Sequence, residues 1–238
     1  MRKKLIIAAL LCIFGISSFA QGLNMGFTMG ANFSYLVGKD RIEGSKSRIG
    51  ICPGILLDIP LVYDSYLELG AIYSQQGVKV KTDEYVRAQV RVIYTEKRDI
   101  DYVMIPITWK QKYGDFITQA GPFVSIATKA SLTWKADTVT REENTHTVAD
   151  TAYSFVNKLR PYDVGAYFGI GYQTAISGGL DLFVMANYKL GFFSVENKTK
   201  NMYENKILRN QVFSISAGLI FMHNRGSKTY RHHSHRRR

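Results

Sequence analysis

The chain has 238 residues and a formal net charge of +12, a length that fits one domain after removal of a leader. Much of that charge lies outside the body of the chain, because between Gln21 and Asn224 only 22 basic residues face 19 acidic ones. Such a balance excludes a nucleic-acid-binding domain, whose basic residues cluster on one folded face. Beyond residue 20, Cys52 is the only cysteine, which excludes an internal disulfide.

The first twenty residues have the three parts of a secretory signal peptide. A basic start is followed by an apolar stretch, 5–16, which is too short to cross a bilayer as a helix. Small residues at Ser18 and Ala20 predict cleavage before Gln21. We therefore expect a signal peptide at 1–20, one folded domain at 21–224 and a basic tail at 225–238.

Eight segments of about ten residues then alternate apolar residues with small or polar ones. This period of two predicts β-strands, as where Met25, Phe27 and Met29 alternate with Gly26 and Thr28. The predicted strands are 25–35, 49–59, 65–76, 102–110, 116–127, 162–173, 182–191 and 213–221. We predict an all-β protein, a transmembrane antiparallel up-and-down β-barrel of about eight strands.

Composition favours a membrane barrel over a soluble sandwich. The polar face of the strands is rich in Gly, Ser and Asn, as the narrow interior of a small barrel requires. Aromatic residues fall near the strand ends, where interfacial girdles lie in membrane barrels. These aromatics are Tyr35, Tyr73, Trp109, Phe116, Tyr162, Tyr172, Tyr188 and Phe221.

The connections between strands alternate in length. Tight turns at 63–64, 113–115 and 177–179 alternate with long loops at 37–48, 77–100, 129–160 and 194–209. Bacterial barrels have short periplasmic turns and long outer loops, so both chain ends are expected in the periplasm. The period of two continues into the loops 77–100 and 129–160, which predicts hairpins that project above the membrane.

Charged residues on the inward face form the candidate site. The five residues are Asp58, Glu68, Lys110, Asp163 and Lys189. A charge inside a narrow barrel must be paired or hydrated. We expect a cross-strand ion network that plugs the lumen, so that the protein is not an open pore.

Histidines provide no clear catalytic or metal site. They are His146, His223, His232, His233 and His235. His146 stands among acidic residues (Glu142, Glu143 and Asp150), which we interpret as a solvated loop because the spacing fits no zinc motif. The tail 225–238 is either a tolerated disordered extension or a weak site for acidic partners or metals. We predict no catalytic residue, no metal and no cofactor.

Several short motifs carry a family resemblance across the mature chain. They are Leu67-Glu68-Leu69 with Tyr73-Ser74-Gln75-Gln76-Gly77, Ile105-Pro106 with Lys110, Ala120-Gly121-Pro122-Phe123-Val124, Asp163-Val164-Gly165 with Gly169-Ile170-Gly171-Tyr172, and Asn187-Tyr188-Lys189-Leu190-Gly191. In their order and spacing the chain resembles the PorT-related outer-membrane β-barrel family. Members usually carry an acidic residue where this chain has Met104, and they usually end near the last aromatic residue.

The resemblance implies a small outer-membrane barrel and, through the family's namesake, a role near type IX protein export. Our first functional hypothesis is a non-enzymatic barrel with a structural or surface-interaction role. An accessory of envelope protein export or assembly is the alternative, and a lipid-modifying enzyme is a distant third. The expected partners are the bilayer with its lipopolysaccharide and, under the alternative hypothesis, secretion or envelope-assembly proteins. We expect no nucleic-acid partner, and we expect a monomer.

Overall fold

The computed structural model describes residues 22–38, 45–87, 90–140, 145–154, 160–194 and 209–222. The predicted signal peptide and the basic tail lie outside the described residues. Within the described part, no helix has the length and apolarity that crossing a membrane requires.

Ten strands make up a single antiparallel sheet. In chain order they are β1 (Asn24–Val37), β2 (Ser45–Ile51), β3 (Gly54–Pro60), β4 (Ser65–Arg87), β5 (Val90–Tyr113), β6 (Phe116–Thr140), β7 (Thr145–Ser154), β8 (Tyr162–Ser177), β9 (Leu180–Ser194) and β10 (Arg209–Phe221). Seven of the eight predicted strands occur as single strands, and the predicted strand 49–59 is divided into β2 and β3 at Cys52-Pro53, because proline has no backbone N–H to donate to a ladder. The prediction that strands continue into 77–100 is confirmed by β4 and β5.

The sheet closes on itself because β10 pairs with β1 along its whole length, from Met25 opposite Phe221 to Val37 opposite Arg209. β2 and β3 lie end to end between β1 and β4 and together occupy one position in the wall. In the described part of the chain, β7 pairs with β6 alone and stands beyond the wall. The result is the predicted barrel, a ring of eight strands with no open edge.

Side chains alternate between the two faces of the wall, as the pleat requires. The exposed outer side chains of β8 include Phe168, Ile170 and Tyr172, whereas Tyr167 and Gln173 on the same strand are buried inside. The predicted apolar face is therefore the outer one.

Three tight turns lie at one end of the barrel, which we call the turn end; the opposite end is the loop end. The first turn has Tyr63 and Asp64 at positive φ, 53° and 57°, so it is a type I′ turn without glycine. The backbone N–H of Ser65 donates to the carbonyl of Val62 across it, at 3.1 Å. β10 ends at this same end, because Phe221 lies opposite Leu180, the first residue after the turn at 177–179. β1 starts there too, because Met25 lies opposite Phe221.

Candidate functional site

Near the turn end, one cation and two carboxylates meet inside the barrel. The ammonium of Lys110 lies 2.8 Å from Oδ2 of Asp58 and 3.1 Å from Oε2 of Glu68. These side chains come from β5, β3 and β4, and Asp58 lies directly opposite Glu68 in the sheet register. All three are almost fully buried, and the ring of Phe183 lies 6.0 Å from the ammonium. We call this group the Lys110 cluster.

A second ion pair lies nearer the loop end. The ammonium of Lys189 on β9 is 3.2 Å from Oδ2 of Asp163 on β8, and both residues are buried. It also lies 5.0 Å from the ring centroid of Tyr102 and 4.5 Å from that of Phe123. A cation held against aromatic faces in a dry interior gains more than an exposed one. We call this group the Lys189 cluster.

The five inward charges predicted from the sequence all point into the barrel, but they form two groups. No ion pair between described residues joins the Lys110 cluster to the Lys189 cluster. A cavity of about 30 Å³ in the interior is lined by Glu68 together with polar side chains such as Asn32, Ser74, Gln119 and Asn187. The Lys189 ammonium also donates to Oε1 of Gln76 at 3.4 Å, and hydrogen bonds continue from Gln76 through Ser74 to Asn32. Among the described residues, the inward charges therefore form two ion clusters, and the Lys189 cluster belongs to a wider hydrogen-bonded group.

Sequence reasoning missed an apolar cluster that shares the interior. Its members are Cys52, Leu56, Ile72, Met104, Ile117, Phe123, Tyr167, Phe183, Met185 and Ile220, all buried. The interior of an eight-stranded barrel must be filled by side chains, and apolar ones fill space without requiring partners. Large apolar residues at inward positions of the alternation, such as Ile72, Phe183 and Met185, were the available signal.

Further ion pairs were also missed. Lys112 lies 3.5 Å from Asp181 in the interior, where Asp181 also accepts a hydrogen bond from Gln173 at 2.9 Å. Arg48 lies 3.0 Å from Asp99 and 3.8 Å from Asp101. Neither basic residue stands out in the sequence, because an ion pair between distant strands depends on their register.

The predicted interfacial aromatics lie on the outer surface. Those with more than a third of their surface exposed are Tyr35, Trp109, Phe116, Tyr162, Tyr172, Tyr188 and Phe221. Tyr73 is half-buried, and its hydroxyl donates to Oδ2 of Asp101 at 2.7 Å.

The site considered around His146 lies outside the described side chains, although the backbone of His146 belongs to β7. The tail histidines also lie outside the described residues. Among the side chains that the structure does describe, no three His, Cys, Asp or Glu residues are grouped as a metal site requires. In the described interior, the Lys110 and Lys189 clusters neutralise their own charges, and together with the apolar cluster they exclude solvent.

Comparison with known proteins gives one strong match, in which residues 19–222 fit the model of a family described as outer membrane protein beta-barrel domain. No curated protein matches the chain.

Among solved structures, Ail of Yersinia pestis in complex with the heparin analogue sucrose octasulfate is 9% identical, with 84% of this chain and 99% of that one covered and a TM-score of 0.33. Neisserial surface protein A is 11% identical, with 84% and 96% covered and a TM-score of 0.35. The outer membrane protease OmpT of Escherichia coli is 9% identical, with 84% and 96% covered and a TM-score of 0.31. Identity and score are low in each case, so these likenesses carry no statement about function.

Proposed function

Because this chain belongs to the outer membrane protein beta-barrel domain family, we propose that it is a non-enzymatic integral barrel with a closed lumen and a structural or surface-interaction role. The observation that carries the proposal is the filled interior, where two ion clusters and an apolar cluster occupy the space within the wall. With the lumen filled, the strands that project at the loop end offer the surface for partners.

Closure of the lumen follows from the size of the ring. Eight strands enclose room for side chains only, and a cavity of about 30 Å³ holds one or two waters. We expect the protein in planar bilayers to show no stable single-channel conductance, with a large porin as the positive control. Reproducible unitary steps would overturn the closed-lumen proposal.

We place the turn end in the periplasm and the projecting strands outside the cell. Short turns facing the periplasm are typical of bacterial barrels, and β1 begins and β10 ends at the turn end. Lys97→Cys and Asp115→Cys form a matched pair, since both residues are exposed and lie at opposite ends. On intact cells, a membrane-impermeant maleimide should label only the Lys97→Cys variant. The reverse labelling would invert the orientation.

A shortened hairpin tests the surface-interaction role. Val80 lies opposite Glu96, so residues 81–95 can be replaced by Asn-Gly as a two-residue turn. The shortened protein should keep the mobility shift between unheated and boiled samples that a folded barrel shows. Cells that carry it should lose attachment to extracellular partners and keep normal protein export. A chain ending at Met222 is the control for a role of the tail.

Export accessory is the second candidate, favoured by the PorT-like motifs such as Ala120-Gly121-Pro122-Phe123-Val124 in β6. The same shortened hairpin separates the two candidates. Loss of secretion or envelope assembly with a folded barrel would favour the accessory role. Loss of surface attachment alone would favour the first proposal.

A further inference from the structure

Four directly paired residues mark a boundary on the outer face of the barrel. Tyr73, Val103, Ile126 and Tyr162 lie side by side on β4, β5, β6 and β8. Towards the turn end, the same outward positions carry apolar residues. These include Leu67, Leu69, Ile105, Ile107, Val124 and Phe168. We call this line the boundary row, because the outward side chains change from apolar to charged beyond it.

Beyond the boundary row, the outward positions carry lysines in register. Lys46 lies opposite Lys79, and Lys79 lies opposite Lys97, on three neighbouring strands. Lys81 continues the same face of β4, because Val78 and Val80 are buried on the other face. Lys46, Lys81 and Lys97 are exposed, and Lys79 is partly exposed. We call these four residues the lysine face.

This arrangement is costly unless an anion compensates it. Like charges directly opposite one another on neighbouring strands destabilise a sheet. Asp99 lies 2.9 Å from Lys97 and 3.0 Å from Arg48, so its charge is already shared. In the part of the chain that the structure describes, Lys46, Lys79 and Lys81 form no ion pair. A row of lysines at adjacent positions suits a ligand with several phosphates.

The position of the lysine face decides which anion lies near it. Lys79 is six residues beyond Tyr73 on β4, which places it roughly 15 Å above the boundary row at about 3.3 Å per residue and a tilt near 40°. Arg160 lies at the level of the boundary row, with its guanidinium 5.7 Å from the ring of Tyr162 and 4.8 Å from that of Phe193. Cations therefore begin at the aromatic level and continue through the depth of a phosphorylated headgroup layer.

At the turn end, the exposed charged residues of the described turns are Asp64 and Asp115. We infer that the lysine face binds the phosphate groups of lipopolysaccharide in the outer leaflet, an inference that rests on the proposed orientation with the loop end outside. The lipid then supplies negative charges beside the opposed lysines and holds the projecting strands upright on the membrane.

Binding of a phosphorylated glycolipid to the full chain in neutral detergent micelles tests the inference. The probe is rough lipopolysaccharide before and after chemical removal of its phosphates. The variant Lys46→Gln/Lys79→Gln/Lys81→Gln removes three charges from the lysine face, and Arg236→Gln/Arg237→Gln/Arg238→Gln removes three from the tail as the matched control. The mobility shift on boiling verifies that every variant folds.

The wild type should bind the phosphorylated form at least tenfold more tightly than the dephosphorylated form, and added salt should weaken the difference. The lysine-face variant should lose most of that tenfold preference, while the tail variant keeps it. Equal binding by the lysine-face variant and the wild type would overturn the site, and equal loss in the tail variant would mean that net charge alone acts.

Inorganic polyphosphate serves as a soluble competitor of the same chemistry. If it binds as tightly as the glycolipid and displaces it completely, the natural occupant is a soluble polyanion and the lipid inference fails. The maleimide labelling at Lys97 and Asp115 reports the orientation separately. Inverted labelling would therefore sink the proposed orientation without changing the affinity that the micelle experiment measures.

Discussion

The two halves of β4 show how one strand meets two environments. In the barrel wall, Leu67 and Leu69 face outwards while Glu68 and Gln76 face inwards. Beyond Gly77 the alternation continues with the opposite polarity, because Lys79 and Lys81 face outwards while Val78 and Val80 are buried. The period of two is therefore a property of the pleat, and the polarity of each face reports what surrounds it.

The inversion teaches where the lipid-facing surface ends. An outward apolar residue is favoured only where lipid covers it, and an outward lysine is favoured only beyond that level. β5 repeats the change, with Ile105 and Ile107 on one side of the boundary row and Lys97 on the other. The same kind of substitution should therefore have different effects in the wall and in the projecting sheet.

Replacing Lys110 by Met should cause the largest loss of stability, about 3–5 kcal/mol, because Asp58 and Glu68 would stay buried without their cation. Lys110 is only 1% exposed. Urea unfolding in lipid vesicles measures the difference. Lys97→Met is the control, since it breaks an exposed ion pair in the projecting sheet and should cost less than about 1 kcal/mol.

The Lys110 prediction has an internal check. Adding Asp58→Asn and Glu68→Gln to Lys110→Met removes the uncompensated charges and should restore most of the lost stability. Similar small losses for Lys110→Met and Lys97→Met would mean that water hydrates the interior around Asp58 and Glu68. Loss of the cation would then cost as little there as it does in the exposed sheet.

A charge on the outer face of the wall should have the next largest effect. Val184→Arg and Ile215→Arg place a guanidinium at positions that are 49% and 50% exposed, and each should cost about 2–4 kcal/mol if lipid covers them near the midplane. Ser131→Arg is the control, because Ser131 lies opposite Asp99 beyond the boundary row, where a positive charge meets no like charge across the strands, and it should change stability by less than about 0.5 kcal/mol. Equal tolerance of all three substitutions would mean that the boundary row does not mark the limit of the lipid-covered surface.

Gly77 stands where the polarity inverts, and Gly77→Ala should cost about 2 kcal/mol. Its φ is +148°, and an added Cβ would clash with the carbonyl oxygen of Arg98. Gly178→Ala at the turn end is the control, since nothing lies within 4 Å of its added Cβ. The same unfolding assay should show a loss only for Gly77→Ala, and equal midpoints would remove the special role of Gly77.

Sequence reasoning predicted the ring and its strands because alternation is a local property. It located the eight strand positions of the wall in order and the strand continuation past Gln76, where β4 now runs to Arg87. It described the inward face as polar and overlooked Ile72, Phe123 and Phe183, because alternation reports two faces but not how narrow the enclosed space is. The separation of the inward charges into two clusters depends on register and on side-chain reach, which a single sequence does not contain.

The smallest expected effect, a gain, concerns the tight turn at Tyr63 and Asp64. Both residues adopt positive φ, which costs an ordinary side chain energy, and Tyr63 is 91% exposed, so its ring contributes little packing. Asn-Gly at these positions suits a type I′ turn and should raise the free energy of unfolding by about 1 kcal/mol. Gly114→Ala is the matched opposite, because φ is +65° there and open space surrounds the added Cβ, so conformation alone should lower stability by about 1 kcal/mol. If neither variant moved the unfolding midpoint, the turns would open before the barrel unfolds and would not contribute to the measured free energy. The stability of the barrel would then come from its wall.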